Sequence, residues 1–359
     1  MTPRQYIFRE SMLGAKMTEN QHHITEPGIL HNDDGSLREP GWATKLIQQY
    51  DRSRVKAPSF LIKEWDYYAI LNDDFGISFT VADNGYLGFV AITVFDFLSA
   101  TETSGSVMTF FPLGSFKMPP TSENGDVSFN QKGFNIQVQR KDEERILLVD
   151  APEFQGGKGL FGSIRLSQPN NMDSMVIATP FPKKSRAFYY NQKVNCMPAS
   201  GSIQFGDHEL IFRPETSFGV LDWGRGVWTY ANTWYWGSAS GRLNDELFGF
   251  NIGYGFGDTS AATENMLFYK GRAHKLDVVT FHIPEPDFLK PWKFTSNDGR
   301  FEMDFEPILD RFSDTNLLLL RSWQHQTFGK FSGKCVLDDG TALEVKDFLG
   351  FAEKVANRW

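Results

Sequence analysis

The chain has 359 residues, 41% of them hydrophobic, with 33 Phe, 32 Gly and a formal net charge of −8. That balance excludes a phosphate-gripping nucleic-acid surface, and two cysteines exclude both a disulfide framework and a zinc site built from cysteine pairs. Phenylalanine set among glycine turns favours sheets over helical bundles.

The first 26 residues are polar and read as an extension, loose or a short helix. They lack the apolar core of a signal peptide, and no run approaches the roughly 20 apolar residues of a membrane span. The expected location is therefore the cytoplasm. Turn signals crowd residues 27–41 (Pro27-Gly28, Asp34-Gly35, Pro40-Gly41), and Lys45 to Tyr50 reads as one or two helical turns.

Strands then follow closely. Residues 60–71, 75–97 and 106–113 are rich in Phe, Tyr, Val, Ile and Thr, and Asn84-Gly85 marks a hairpin. Residues 125–151 read as three meandering strands, with Val127/Phe129, Phe134/Ile136/Val138 and Ile146/Leu148 alternating apolar with polar. Another strand follows before a proline-rich break near 169–185, which links two sheets or crosses the outside of one. Strands resume over 187–212, 219–241, 246–260, 265–284, 299–307 and 317–345, with Leu317–Leu320 read as a buried strand. A tight turn is expected at Asp338-Asp339-Gly340, and only the last piece, 347–359, reads as helix. Two halves of similar length point to two barrel-like sheets, 27–180 and 181–359; one large sheet stack is the competing arrangement.

Several blocks resemble a known family. TEPGILHNDDGSLREPGWATKLIQQYDR, IKEWDYYAILNDDFGISFTVADNGYLGFVAITVFDF, FGVLDWGRGVWTYANTWYWGSASG and FGKFSGKCVLDDGTALEVKDFLGFAEKVANRW resemble, in order, the bacterial domain of unknown function 2804 family. That family implies no activity. A more distant likeness, to the lipocalin-like carotenoid hydratase and AttH proteins, implies an all-β fold of two consecutive lipocalin-like (calycin-type) antiparallel barrels or curved sheets. It also implies acid-assisted addition or cyclisation on apolar polyenes. Only Asp222 maps onto the acidic residue of those proteins; the Trp223-Gly224-Arg225 that follows departs from their pattern. Fold by itself does not fix function.

The densest chemistry lies between Gly219 and Gly241, where Trp223, Trp228, Trp234 and Trp236 accompany Asp222 and Arg225. A carboxyl among indoles is desolvated and suited to general acid/base work; a pair with Arg225 would instead make Asp222 an architectural anchor. Trp234 and Trp236 share one face of a strand, with Tyr235 on the other. Tyr230 and Asn232 are candidates for the face that carries Trp228, Trp234 and Trp236. If the barrel likeness holds, Asn251, Tyr254, Glu264 and Asn265 border this block, and Glu264 becomes a second carboxyl that divides acid and base roles with Asp222. Each of these side chains has a bland alternative as core, corner or loop. In the N-terminal half, alternation puts Trp65 and Tyr67 on one face and Glu64, Asp66 and Tyr68 on the other.

His325, beside Trp323, is the most interesting histidine, yet no two histidines after His23 have metal-ligand spacing. No metal and no organic cofactor is expected. A nucleophile elbow, a phosphate loop and a dinucleotide fingerprint are all missing, and Gly253–Gly257 reads as a sheet bend. The leading expectation is an acid/base enzyme of hydratase, isomerase or cyclase type, acting on a bulky, largely apolar small molecule in a cavity in the second half or between the halves. The alternative is a non-catalytic carrier of such a molecule; an interaction module is the third.

Overall fold

A computed structural model describes residues 21–317 and 320–358. Most of the extension at 1–26 thus lies outside the described residues. Two large antiparallel sheets dominate, of thirteen and nine strands among the described residues. The first forms a nearly closed barrel and the second a half-barrel, in keeping with the two barrel-like sheets expected from the many short strands.

The first sheet is built around three neighbours: Ile62–Leu71, Phe218–Val227 and the 22-residue strand Lys184–Phe205. Its meander, Val127–Gln131, Phe134–Lys141 and Glu144–Ala151, falls where the alternation puts it. Asn84-Gly85 closes the hairpin between Phe75–Asp83 and Leu87–Asp96, with Gly85 in the left-handed region at φ 78°. The second sheet runs through Ala231–Leu243, Glu246–Tyr254, Phe301–Leu317, Leu320–Val336 and Ala342–Arg358. Apart from the small parallel pair Gly28–Ile29 and Gln48–Gln49, strands up to Val227 belong to the first sheet and strands from Ala231 to the second. The sheets therefore divide within the tryptophan-rich block, well past residue 180.

Four local expectations are corrected. The terminal segment is not helical: Ala342–Arg358 pairs with Ala231–Leu243 on one side and with Leu320–Val336 on the other. Two hydrogen-bonded ladders and burial on both faces override the helix preference of Ala, Glu and Lys. Leu317 ends one strand and Leu320, its antiparallel partner, begins the next, so the two leucines do not belong to one buried strand. Gln48–Gln49 is a short strand, parallel to Gly28–Ile29, where helical turns are expected; the Gln48 amide donates to the Glu39 carbonyl at 3.1 Å. The break at 169–185 contains a strand, Met175–Phe181, that pairs with Lys184–Phe205 and Gly41–Ala43.

Phe218–Val227 is buried along its whole length because both faces are covered. Leu221, Trp223 and Val227 join the core inside the first barrel. Val220 packs the other way, against Trp236, Leu309, Phe328 and Phe351 of the second sheet. Cys196 and Cys335 are buried and unpaired, one in each sheet. Among the described residues no helix is long and apolar enough to cross a membrane.

Candidate active site between the two sheets

Strand register builds the first half of the site. Asp222 lies directly opposite Lys193 on one neighbour and Tyr67 on the other, so all three side chains project from one face, toward the second sheet. The Lys193 ammonium is 2.7 Å from Asp222 Oδ2. Asn191, two residues earlier on the same face, donates to Asp222 Oδ1 at 2.6 Å and to the Trp223 carbonyl at 2.8 Å. Lys193 Nζ also sits 3.8 Å from the centre of the Trp236 ring, a cation over an indole face.

The second sheet supplies the opposing groups. Glu353 pairs in register with Trp236 and with Gln326. Its Oε1 accepts from Trp234 Nε1 at 3.0 Å. Trp236 Nε1 donates to Asn251 Oδ1 at 2.7 Å, and Asn251 Nδ2 donates to the Glu264 carbonyl at 2.8 Å. A Cβ on Gly253 would fall 2.7 Å from Glu264 Oε1, so the glycine makes room for that carboxyl. Gln326 Nε2 donates to Tyr67 Oη at 3.2 Å and ties the sheets together.

Burial sets the electrostatics. Desolvation pushes Glu353 up to about 7, against the Trp234 hydrogen bond and the Lys193 charge, while Asp222 adds to the rise. Glu264 is raised for the same first reason, with Lys193 opposing and Asp222 assisting. Burial raises the Tyr189 phenol far above its ordinary value, and Glu264, Asp222 and Glu353 each add to it. Three carboxyls and a phenol thus feel one another around a lysine.

An aromatic wall flanks this group. Trp228 meets Trp65 at 5.2 Å, Trp234 at 6.2 Å and Phe256 at 4.8 Å between ring centres, all edge to face. Trp65, Trp228 and Trp234 are each only partly buried, so the wall reaches the surface. The DWGRG spelling has a steric cause here. A Cβ on Gly224 would lie 1.9 Å from the Trp65 ring, which rests across the strand. Gly224→Ala is expected to lower the unfolding free energy by about 1–3 kcal/mol, as overpacking does; a urea midpoint equal to wild type would contradict this.

Asp222, Glu264, Trp234, Trp236 and Asn251 meet, and Trp228 joins the adjoining wall. Arg225 and Trp223 do not: odd-numbered positions of this strand face the first barrel's interior. There Arg225 Nη1 bonds Asp66 Oδ1 at 3.1 Å, so Asp222 and Arg225 are not partners. Tyr230 stands in the crossover between sheets, 53% exposed, off any strand face. The Asn232 amide closes a turn onto the Thr229 carbonyl at 2.6 Å. Tyr254 stacks on Tyr235, 4.5 Å between centres, on the opposite face of the second sheet. Asn265 is a brace that accepts from Gly253 N and donates to the Asp277 carbonyl, each at 2.7 Å. His325 pairs with Asp310 at 2.7 Å and stacks on Phe288 at 3.7 Å, away from the carboxyls.

Sequence reading misses Lys193, Asn191, Tyr189 and Glu353. The spacing Tyr189, Asn191, Lys193 puts three polar side chains on one strand face, and that signal is legible in retrospect. Glu353 is hidden by the helical look of the C-terminal segment.

No curated protein matches the chain in sequence. Among solved structures, a candidate AttH from Nitrosomonas europaea is 12% identical with a TM-score of 0.53, covering 85% of this chain and 96% of its own. This likeness shows the fold. Kievitone hydratase from Nectria haematococca is 9% identical, with a TM-score of 0.49 and coverage of 92% and 98%. The protein CghA is 10% identical, with a TM-score of 0.46 and coverage of 83% and 88%. A family model described as a domain of unknown function, DUF2804, matches residues 21–359, and the chain belongs to that family.

Proposed function

We propose that the cluster between the sheets is the active site of an acid/base enzyme that acts on a bulky, largely apolar small molecule. One observation carries this reading: Glu353 and Glu264, both raised by burial, face Asp222, a carboxyl held by the Lys193 ammonium and the Asn191 amide. Carboxyls in environments so different divide the roles of acid and base. Glu353, near 7, is suited to give up a proton at neutral pH and recover it. Asp222 accepts a proton from water or from a C–H bond, and Lys193 balances the charge that the transfer leaves behind. Trp228, Trp234 and Trp236 offer apolar faces to the rest of the substrate. Hydration of a double bond, isomerisation and cyclisation all fit this pairing.

The test is proton traffic in heavy water. The protein is incubated in D2O with a panel of polyenes, enones and polycyclic aromatics, and carbon-bound deuterium or added water is read by mass spectrometry. Wild type is expected to label or hydrate at least one class, with a rate that falls above pH 7 as Glu353 ionises. Glu353→Gln and Asp222→Asn should each lower that rate by roughly 10²–10⁴-fold with little change in ligand affinity. Tight binding of a panel member with no exchange in wild type would make the protein a carrier and end the enzymatic reading.

A further inference from the structure

The end of the first barrel carries a separate cluster that the interdomain chemistry does not use. An open cleft of about 310 Å³ is lined by Tyr50, Arg52, Glu64, Gly114, Met118 and Pro120, with the exposed Asp51 and Lys117 at its edge. Arg52 Nη1 pairs with Glu64 Oε2 at 2.6 Å, and Tyr50 donates to Glu64 Oε1 at 2.9 Å. Gly114 lies flat against the guanidinium: a Cβ there would fall 2.8 Å from Arg52 Nε. Behind the cleft, Arg225 Nη2 donates to the Pro119 carbonyl at 2.8 Å and Arg145 Nη1 to Tyr68 Oη at 3.4 Å.

Donors in this region outnumber acceptors. Arg52 Nη2, in the cleft lining, and Arg225 Nε, Arg145 Nη2 and Trp223 Nε1, outside it, are buried without a hydrogen-bond partner among the described residues, as are Gln48 Oε1 and both ring nitrogens of His31, which packs against Tyr50. A buried donor without an acceptor is costly, and a guest acceptor in the cleft would relieve Arg52 Nη2. The rim beside the cleft is apolar and exposed: Phe60 47%, Phe110 76%, Phe111 65% and Leu113 46%. It is one patch, because Phe111 N and Leu113 N donate to the carbonyls of Tyr86 and Gly85, and Gly85 abuts the Phe60 backbone. An exposed apolar patch next to a donor-rich cleft fits an amphiphile.

We infer that the first barrel binds a lipophilic anion at this end, its carboxylate-type head received by Arg52 and its apolar tail lying on Phe60, Phe111 and Leu113. This site is distinct from the carboxyl cluster between the sheets and stands whether or not that cluster is catalytic. A guanidinium takes a carboxylate in paired, charge-assisted hydrogen bonds.

Calorimetric titration with decanoate, and with 1-decanol as its neutral counterpart, tests the inference. Decanoate is expected to bind one per chain, and decanol roughly tenfold or more weaker. Arg52→Gln should weaken decanoate by roughly 10- to 100-fold while sparing decanol, and Arg52→Lys should restore part of the loss. Phe111→Ser should weaken both probes, whereas Asp222→Asn and Trp234→Ala should change neither. The inference is overturned by a wild type that ignores decanoate, or by an Arg52→Gln variant with undiminished affinity. Loss of decanoate binding in Trp234→Ala would also overturn it. So would protein that floats with phosphatidylglycerol vesicles but takes up no decanoate, which would make the rim a membrane-facing surface.

Discussion

Lys193→Met is expected to lower the unfolding free energy by about 3–5 kcal/mol at pH 8, the usual result of leaving a buried carboxylate without its counter-ion. Lys193 is 3% exposed and Asp222 8%, so water does little to replace the 2.7 Å ion pair. Glu264 and Glu353 both feel the same ammonium, so its removal is felt by three carboxyls at once. The double variant Lys193→Met/Asp222→Asn is expected to regain part of the loss, because it removes the stranded Asp222 charge along with its partner while Glu264 and Glu353 remain. Urea denaturation of the four proteins of this cycle measures it. Additive effects of the two substitutions would show that the pair is not coupled, and the site as described would then be wrong.

Glu353→Gln should make the protein more stable than wild type above pH 7. The Glu353 carboxyl is raised from its ordinary 4.5 to about 7 by burial. Between those values the folded chain holds a proton that the unfolded chain has released. Wild-type stability therefore falls as pH rises through this window, and the loss is complete above pH 7. At about 1.4 kcal/mol per unit, the full difference is on the order of 3 kcal/mol. Glutamine carries no charge to desolvate and still accepts from Trp234 Nε1. The two melting curves should thus converge near pH 4.5 and separate toward pH 8. A constant offset across that range would mean that Glu353 titrates normally. With the activity test, this gives one residue two opposite expected signatures: the same substitution should stabilise the fold and slow the proposed proton transfer.

Much of the fold is legible in the chain because a strand advertises itself locally. Val127/Phe129 and Phe134/Ile136/Val138 alternate because one face is buried, and those strands form where they read. Trp234 and Trp236 share a face, Tyr235 takes the other, and Trp65/Tyr67 separate from Glu64/Asp66/Tyr68, all by the period of two. The C-terminal segment failed this reading because helix preference is also local, whereas one of the two ladders that override it comes from Ala231–Leu243, more than 100 residues earlier in the chain (Ala239 pairs with Gly350).

By itself, then, the sequence determined most of the strands, their buried faces and the block in which indoles crowd a carboxyl. Only the tertiary structure decided the partners. Asp222 and Arg225 are three apart, and the pleat sends them to opposite faces, into different environments. Lys193 reaches Asp222 because two strands align in register, and Glu353 joins them because the second sheet packs against the first. Register and sheet packing are set by the sum of many contacts along whole strands, so no local spacing of residues encodes which charge will meet which.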